Sequence, residues 1–392
     1  MPPKISRFAQ SVPGSTVVAM RRQADALEAE GVEIVDFGIG EPDFTVPEVV
    51  AEAAIQAVRD GRSDYTDPAG LPALRAAIAE FEARQHGTET LPDQVTVTNG
   101  SYGALTAIMR GILEPGDEAV VVVPGWGPCR QMIRLCGAIP VEAAMSAVVG
   151  RFVIDADAIA AVITERTKAI FINSPWNPTG RVLTVEELSA IADIAVRNDL
   201  WVVADEVYSE LVFGESRHVS IASLGPEVAE RTIIASSLSK SFALTGWRLG
   251  YCIAPPELAA VLTKINHTTT RCAASIVQYA AVAAFENALP DVAAMREEYA
   301  ARGRAVARGL NQIQGVRCPI PEGTFYALAQ IPAEWGSSAT VAEMLLNKAG
   351  VIVTPGSYYG PTCEHFLRLS FATSMPVIEE GLARLREALP PV

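Results

Sequence analysis

The chain has 392 residues, more than a single hydrophobic core usually organises, so we expect one large domain and one smaller one. Its formal net charge of −14 argues against nucleic acid or an anionic membrane surface as a partner, because both need a basic footprint. The sequence has no run of about 18 apolar residues and no N-terminal signal segment, so we expect a soluble, cytoplasmic protein with no membrane partner.

Cysteine and histidine usage gives no sign of a metal site. The six cysteines form no CxxC pair and several lie in apolar runs, so we expect reduced core residues and no disulfide framework. The four histidines, at positions 86, 218, 267 and 365, are scattered and lack metal-ligand spacing. We therefore expect no bound metal.

Helices and strands alternate along the chain up to about position 290. The periodicity predicts helices over 17–30, 47–60, 71–86 and 102–113 and strands over 32–37, 94–98, 119–123, 169–173, 200–204, 232–235 and 249–254. A capping-box pattern from Thr184 to Glu187 opens a further helix between two of these strands. Such alternation predicts a mostly parallel sheet that binds ligands at the carboxyl ends of its strands. Four candidate residues follow such ends: Trp126, Asn177, Asp205 and Lys240.

The turn Asn99-Gly100-Ser101 lies between a predicted strand and a predicted helix. Unpaired N–H groups and the helix dipole favour an anion there, so the turn is a candidate phosphate cradle, although many such turns bind nothing. Gly38 to Phe44 is a second glycine-containing turn at a strand end, where backbone N–H groups can approach a ligand. Tyr65 lies in a loop, and taken alone it is an aromatic residue that packs on its own domain.

The stretch from Ser236 to Arg248 connects two apolar strands and contains a single lysine, Lys240. Desolvation and the nearby Arg248 cation would both lower the pKa of its amine and make it a nucleophile toward an aldehyde. The hydroxyls of Ser237 and Ser239 and the Arg248 guanidinium are groups that hold a phosphate dianion. The alternative is an ordinary solvated turn, but amine, hydroxyls and guanidinium together indicate a pyridoxal phosphate site.

The residues after about 290 contain a second set of predicted strands. A helical region over 291–314 leads into strands over 323–328, 351–356 and 366–371, which we assign to the smaller domain. In the last strand Arg368 points away from the face shared by its apolar neighbours, and such an arginine is more often solvated surface than a binding residue. Before this region, the polar patch 266–271 is predicted to interrupt a helical segment.

Asp205 ends an apolar strand, where a carboxylate needs a cation or several donors to be tolerated. A protonated pyridine nitrogen is such a cation, and its protonation makes the ring an electron sink. The other edges of pyridoxal phosphate find partners as well. Asn177 and Tyr208 can donate to the ring oxygen, and Trp126 can stack on the ring face.

Six segments carry a family resemblance: GEPDF (40–44), YTDPAGLPALR (65–75), NPTG (177–180), DEVYSELVF (205–213), SLSKSFALTGWRLGY (237–251) and RLSFA (368–372). In this order and spacing they resemble the class I aminotransferases, pyridoxal phosphate enzymes of fold type I. The resemblance covers essentially the whole chain. It implies an α/β fold in which a large domain, 45–290, holds a mostly parallel central sheet between helices. A smaller α+β domain is then built from 1–44 and 291–392.

The resemblance also implies a role for each matching residue. Lys240 would form the Schiff base and carry the proton, Asp205 would pair with the pyridine nitrogen, and Tyr208 would bond the ring oxygen. The remaining cofactor contacts implied are Gly100, Ser101, Tyr102 (through its backbone), Trp126, Asn177, Ser237, Arg248 and, from a second subunit, Tyr65. The substrate α-carboxylate would be bound by Arg368 with Gly40 and Asn177. The family is a homodimer with shared active sites that performs ping-pong transamination between an L-amino acid and a 2-oxo acid.

The residues that would read the substrate side chain leave several options open. Some dicarboxylate-specific relatives carry a lysine where this chain has Tyr102, so that route to an aspartate preference is missing. Arg271 and His267 could read a distal carboxylate or be ordinary surface residues. Four apolar or aromatic residues leave a neutral or aromatic substrate equally open: Phe8, Val17, Tyr358 and Tyr359.

Two rival functions use the same scaffold. A lyase that performs β-elimination needs the same residues and a substrate with a leaving group at Cβ. A pyridoxal phosphate-sensing module of a transcription regulator would need an appended basic helix-turn-helix domain, for which there is no room before Val35. Transamination is therefore the first hypothesis, with the lyase as the alternative and the regulator module less favoured.

Overall fold

The computed structural model describes residues 4–6, 10, 12, 14, 16–148 and 150–391, without the side chains of residues 16 and 17. Its strands are β1 (Val35–Asp36), β2 (Val95–Thr98), β3 (Glu118–Val123), β4 (Ile139–Ala144), β5 (Ser146–Val148), β6 (Arg151–Val153), β7 (Thr167–Asn173), β8 (Trp201–Asp205), β9 (Thr232–Ser237), β10 (Gly250–Ile253), β11 (Tyr326–Gln330), β12 (Val351–Ile352), β13 (Thr354–Pro355) and β14 (Phe366–Ser370). Its α-helices are α1 (Thr16–Ala29), α2 (Glu48–Arg59), α3 (Pro72–His86), α4 (Gly100–Ile112), α5 (Pro128–Leu135), α6 (Ala156–Ala161), α7 (Val185–Arg197), α8 (Pro226–Ala229), α9 (Leu238–Ser241), α10 (Pro256–Thr270), α11 (Ser275–Asn287), α12 (Leu289–Leu310), α13 (Ser338–Ala349) and α14 (Met375–Ala388). None of these helices combines the length and the apolarity needed to cross a membrane.

Within the described ranges, seven strands form the central sheet, in the order β2-β10-β9-β8-β7-β3-β4. All pairs from β9 to β4 are parallel, whereas β10 is antiparallel to both of its neighbours. The predicted mostly parallel sheet is therefore confirmed. The register places Asn173 beside Asp205 and Asp205 beside Ala235, so the carboxyl ends of β7, β8 and β9 lie close together.

Helices pack on both faces of this sheet because its strands are apolar on both faces. Every residue of β3 and of β9 is buried. On one face Leu105 of α4 packs in a cluster with Val121 of β3. On the other face Ile191 of α7 packs in a cluster with Val202 of β8. Burial along the whole strand is what a parallel sheet between two helical layers requires.

A smaller antiparallel sheet, in the order β11-β14-β13, lies in the C-terminal part of the chain, and β1 pairs in parallel with β12. One core cluster joins the two ends of the chain, since Phe37 packs there with Phe371. In addition, the carboxylate of Asp43 accepts 2.8 Å hydrogen bonds from Arg302 of α12. The expected domain division remains a prediction: 45–290 for the large domain, and 1–44 with 291–392 for the small one.

The interruption predicted at the polar patch 266–271 is present but lies later, at 271–274, because α10 continues to Thr270 and α11 begins at Ser275. The hydroxyl groups of Thr268, Thr269 and Thr270 each donate to the backbone carbonyl four residues earlier, so the polar side chains are satisfied within the helix. The strand predicted over 32–37 shrinks to the two residues of β1. Strands β4 to β6 and helices α5, α13 and α14 lie outside the predicted elements.

Candidate active site

The carboxyl ends of four adjacent parallel strands meet at one cleft of about 1040 Å³, which we call the central cleft. Each of the four strands is followed closely by a predicted site residue that lines the cleft. In the order β3, β7, β8 and β9, these residues are Trp126, Asn177, Asp205 and Lys240. The structure thus places these four side chains at one cleft, and their roles in binding and catalysis remain predictions.

Lys240 lies in α9, the short helix that directly follows β9, and its Nζ atom donates to the backbone carbonyl of Gly40. Burial lowers the pKa of the Lys240 amine, and the nearby cations Arg368 and Arg248 act in the same direction. A lowered pKa leaves a larger neutral, nucleophilic fraction of the amine near neutral pH. Lys240 is thus chemically prepared to attack a carbonyl carbon.

Asp205 is the last residue of β8 and only 5% of its surface is exposed. Its Oδ1 atom accepts a long hydrogen bond of 3.4 Å from the Val207 N–H, while Asn173 donates to its backbone carbonyl instead of its carboxylate. Burial raises the pKa of Asp205 to about 7, and the neighbouring Glu206 charge adds to this rise. A buried carboxylate with so little donor support fits a cationic partner in the cleft.

Arg368 lies in the middle of β14 and is also only 5% exposed, so the alternative of a solvated surface arginine is wrong, while its role in binding a carboxylate remains a prediction. Its Nη2 atom donates to the Gly38 carbonyl at 2.6 Å and to Thr354 Oγ1 at 3.1 Å, and Nη1 reaches Asn177 Oδ1 at 3.5 Å. Its Nε atom is buried and has no hydrogen-bond partner among the described residues. Among the described residues, no carboxylate forms an ion pair with the Arg368 guanidinium. A buried guanidinium of this kind is suited to a carboxylate from outside the chain.

Tyr208 and Tyr326 form a buried pair of phenols in the cleft. The Tyr208 hydroxyl donates to the Tyr326 hydroxyl at 3.2 Å. Burial raises the pKa of Tyr208 well above its usual value, so the phenol keeps its proton. Tyr326 belongs to β11, and its ring centroid lies 4.2 Å from Cζ of Arg368. Sequence reasoning missed Tyr326, because its neighbours in the predicted strand 323–328 gave no polar pattern around it.

The predicted anion cradle lies at the N-terminus of α4. Gly100 begins this 13-residue helix with a φ of 68°, and the residue before it makes no side-chain cap. A Cβ atom at position 100 would lie 2.6 Å from Nη2 of Arg248, so only glycine fits both the backbone conformation and the close approach. Ser101, Tyr102 and Arg248 line the cleft beside it. The N-terminus of α4 and the Arg248 guanidinium therefore lie next to each other at the cleft, where both favour an anion.

The two serines near Lys240 differ in position. Ser237 is buried at the end of β9, where its hydroxyl accepts a 3.4 Å hydrogen bond from the Ser239 N–H, and it is not among the residues that line the cleft. Ser239 does line the cleft. The sequence signal for Ser239 was its hydroxyl in the same small-residue stretch, next to the lysine.

Tyr65 lies apart from the central cleft of its own chain and 74% of its side chain is exposed. The Arg271 guanidinium stacks over its ring at 4.1 Å, so the two form one exposed pair. Arg271 and His267 do not line the cleft either. Neither residue therefore belongs to the wall of the cleft in its own chain.

The wall of the cleft next to Trp126 is aromatic. Tyr102 meets Trp126 edge to face with centroids 5.1 Å apart, and Tyr358 and Tyr359 form a similar pair at 5.1 Å. All four line the cleft. Of the other two specificity candidates, Phe8 lies outside the described residues, as does the side chain of Val17.

Several polar residues of the cleft were missed besides Tyr326, among them Asn173, Arg21 and Arg130. Arg21 is engaged by the carboxylates of Asp25, Glu28 and Asp36. Arg130 donates to the Tyr358 carbonyl at 3.0 Å and to the Glu142 carboxylate at 2.6 Å. Both arginines come from helices that pack across the cleft, so sequence spacing alone gave no sign of them.

Metal binding has no support in the described part of the chain, where no group of three or more His, Cys, Asp or Glu residues is arranged to hold an ion. All six cysteines are free thiols, and four of them are buried: Cys129, Cys252, Cys318 and Cys363.

Comparison with known proteins agrees with this site. The family model described as aminotransferase class I and II matches residues 32–385. The chain belongs to this family. An aspartate aminotransferase of Geobacillus stearothermophilus is 36% identical over 387 residues, with 97% of this chain and 98% of the relative covered. A probable aspartate/prephenate aminotransferase of Aquifex aeolicus is 37% identical over 389 residues, with 98% of each covered.

The solved structure of the Thermus thermophilus aspartate aminotransferase with maleate is similar to this aminotransferase with a TM-score of 0.93, at 36% identity and with 99% of this chain and 100% of that chain covered. The expected α/β fold of fold type I is therefore confirmed. The enzyme catalyses transamination between an amino acid and a 2-oxo acid, as predicted, and the lyase alternative is not favoured. Enzymes of this family use pyridoxal phosphate.

Proposed function

We propose that this aminotransferase binds pyridoxal 5'-phosphate in the central cleft, with Lys240 as the Schiff-base residue. The observation that carries the proposal is the arrangement of three groups around one space. A neutralisable amine, Lys240, lines the same cleft as a buried carboxylate, Asp205, and a buried guanidinium, Arg368, that lacks a carboxylate partner among the described residues. These are the groups that an amine-capturing, ring-holding and carboxylate-binding site needs.

The phosphate end of the cofactor fits the N-terminus of α4. The backbone N–H groups of Gly100, Ser101 and Tyr102 and the hydroxyl of Ser239 are directed to, or line, the same region as the Arg248 guanidinium. Together they supply the charge and the donors for a phosphate dianion. We also assign Ser237 to this region, as the residue that holds the Ser239 backbone.

The ring of the cofactor fits the part of the cleft lined by Asp205, Tyr208, Asn177 and Trp126. Asp205 would hold the proton of the pyridine nitrogen, which also relieves the cost of burying its carboxylate. Tyr208 and Asn177 would donate to the ring oxygen, and Trp126 would stack on the ring. When bound, the cofactor supplies an aldehyde that captures the substrate amine and a ring that accepts the electron pair released from Cα.

Proton movement is assigned to Lys240 Nζ. With the cofactor bound, the Lys240 amine would be the group that accepts the Cα proton of the substrate as a general base and that donates a proton back to carbon. Its lowered pKa favours the neutral form that this step requires. Arg368, with the Gly40 backbone and Asn177, would hold the α-carboxylate and so fix the position of the Cα proton.

We further propose a homodimer in which Tyr65 completes the site of the partner subunit. Tyr65 is exposed and lies outside the cleft of its own chain, stacked with Arg271. An exposed aromatic residue held rigid by an arginine is suited to insertion into a neighbouring cleft. The cytoplasmic location expected from the sequence remains a prediction.

Two observations favour different amino donors, and we propose both as candidates. The names of the relatives favour aspartate. The aromatic wall of Tyr102, Trp126 and Tyr358 favours an aromatic donor, and the two further arginines of the cleft are already engaged by carboxylates. A donor panel that contains aspartate, glutamate, phenylalanine and tyrosine separates the two.

The test is an absorbance spectrum of the cofactor-loaded protein during addition of single amino acids without any 2-oxo acid. Conversion of the cofactor band to a stable pyridoxamine-type band, with one equivalent of 2-oxo acid formed, is the expected result and identifies the donor. A band that persists while pyruvate or ammonia accumulates would show a lyase. Lys240→Ala is the matched control, and multiple-turnover transamination in that variant would refute the role of Lys240.

A further inference from the structure

Tyr326 is hydrogen-bonded to the Tyr208 phenol, and its ring faces the buried Arg368 guanidinium. We propose that Tyr326 is a positioning residue for transamination: its hydroxyl orders the Tyr208 phenol at the cofactor ring, and its aromatic face orders Arg368 at the substrate carboxylate. This inference rests on the proposed function, because Tyr208 and Arg368 are the groups through which Tyr326 acts. Neither the family resemblance nor the sequence pattern assigns it a role.

The hydroxyl half of the inference follows from counting protons. The phenols of Tyr208 and Tyr326 are 3.2 Å apart and both residues are at least 97% buried. A phenol carries one proton, so if Tyr208 donates to the ring oxygen of the cofactor, its own oxygen becomes an acceptor. Tyr326 is then the donor to that oxygen. The hydrogen bond from Tyr326 makes Tyr208 a stronger donor to the ring oxygen than it would be alone, because hydrogen bonds in a chain polarise one another.

The ring half follows from the position of Arg368. Its Cζ lies 4.2 Å from the ring centroid of Tyr326 but 5.4 Å from that of Tyr359, so Tyr326 makes the closer cation–π contact. A desolvated contact of this kind stabilises a guanidinium and holds its plane against the ring. The edge of the guanidinium with the unpartnered Nε atom is then left for a ligand.

The backbone keeps this geometry rigid. Tyr326 pairs with Ser370 and Leu328 pairs with Arg368 in the antiparallel pair β11–β14, so Tyr326 and Arg368 are diagonal neighbours on adjacent strands. The Tyr326 hydroxyl also lies so close to Gly40 that a Cβ atom at position 40 would collide with it. Because the Gly40 carbonyl accepts the hydrogen bond of Lys240, the Tyr326 ring also limits where that lysine can sit.

Two substitutions separate the two halves. Tyr326→Phe removes the hydroxyl and keeps the ring, whereas Tyr326→Leu removes both. Tyr359→Phe is the matched control, since its ring also faces Arg368 but no hydrogen bond joins it to Tyr208 in the described structure. The readouts are the pH midpoint of the absorbance change of the bound cofactor, and the dissociation constants of maleate and of 3-phenylpropionate.

In Tyr326→Phe the absorbance midpoint should move to higher pH by about half a unit or more, a size that one hydrogen bond in a charged site can supply. The direction follows from the charge on the ring oxygen. A weaker Tyr208 donor leaves this oxygen more negative, and a more negative oxygen holds the proton on the Lys240 nitrogen beside it more tightly. Carboxylate binding should stay within about twofold, because the cation–π contact remains. The Tyr359→Phe midpoint should equal that of the unmodified protein.

In Tyr326→Leu both carboxylates should bind about tenfold more weakly, since a desolvated cation–π contact is lost. If the leucine variant does not fold, Tyr326→Met provides the same test with a more adaptable side chain. A Tyr326→Phe midpoint equal to that of the unmodified protein would overturn the hydroxyl half. Carboxylate affinity unchanged in the leucine or methionine variant would overturn the ring half.

Failure of the proposed function gives a different result. If the unmodified protein develops no cofactor band with pyridoxal phosphate, the proposed function is refuted and this inference with it. If the band forms in every variant with the same midpoint and the same carboxylate affinity, the proposed function stands and only the role of Tyr326 is refuted.

Discussion

Asp205→Asn should stabilise the cofactor-free protein and weaken the cofactor-loaded one. The two side chains have the same shape, and an asparagine oxygen can still accept the hydrogen bond from the Val207 N–H. The substitution therefore removes the buried charge with little change in packing. Without a cation in the cleft that charge is a cost, and with a protonated pyridine nitrogen beside it the same charge is a benefit.

The size of the effect follows from the raised pKa of Asp205. Burial raises it from 3.8 to about 7, so the folded protein binds this proton more tightly than the unfolded chain does. The folded state therefore loses stability as the pH rises from about 4 to about 7, and the loss persists above that. A shift of about three pKa units corresponds to about 4 kcal/mol. About 2 to 3 kcal/mol of this should develop between pH 5 and pH 8.

The assay is urea denaturation of the cofactor-free protein and its Asp205→Asn variant at pH 5 and pH 8. The difference between the two proteins cancels the contribution of Glu82, whose pKa burial also raises to about 8, and leaves that of Asp205 together with its coupling to Glu206. The variant should gain stability relative to the parent as the pH rises. Asp64→Asn, at an exposed position, is the control and should show no such gain.

An equal stability difference between parent and variant at pH 5 and at pH 8 would refute the reasoning about the buried charge. A second measurement tests the cation in the cleft. At pH 8, pyridoxal phosphate should raise the Tm of the parent protein more than that of the variant, because only the parent gains a charge pair on binding. Equal increases in Tm would remove the case for Asp205 as the partner of the ring nitrogen.

Three further predictions concern the subunit contact, the carboxylate site and the fold. Tyr65→Ala and Lys240→Ala chains, each of low activity alone, should regain about a quarter of full activity when refolded together, because random pairing gives half hybrids with one intact site each. No recovery on mixing would place Tyr65 in its own subunit's site. Arg368→Lys keeps the charge but loses the planar fork of the guanidinium, so the KM for the amino donor should rise about tenfold or more with a smaller change in kcat. An unchanged KM would exclude Arg368 as the residue that binds the substrate carboxylate. Thr184→Ala breaks the capping box, in which the side chains of Thr184 and Glu187 each accept a hydrogen bond from the other's backbone N–H. Urea denaturation should show that the free energy of unfolding falls by about 1 kcal/mol, whereas Thr184→Ser should stay near the parent value. Equal losses in both variants would show that the cap is not the cause.

Local patterns in the sequence determined where the reactive groups stand along the chain. Apolar runs predicted the strands, and the polar residues after them predicted the edge of the sheet at which Asp205 and Lys240 meet. The capping box at Thr184 was also predicted and is present. These features depend on residues within one or two turns or strands, so their conformation is encoded locally. The order of the motifs then identified the family before any contact between elements was known.

The tertiary structure alone decided how the distant groups meet. Alternation in β14 correctly set Arg368 apart from Leu367 and Leu369, but only the packing of β14 against β11 and β13 buries it. The Tyr208–Tyr326 hydrogen bond joins residues 118 positions apart, and Arg368 reaches Asn177 across 191 positions. Periodicity carries no information over such separations, because the contact depends on how finished elements pack. For that reason the sequence located Lys240 and Asp205 at one edge of the sheet, while the contact between Tyr326 and Arg368 became visible only in the folded chain.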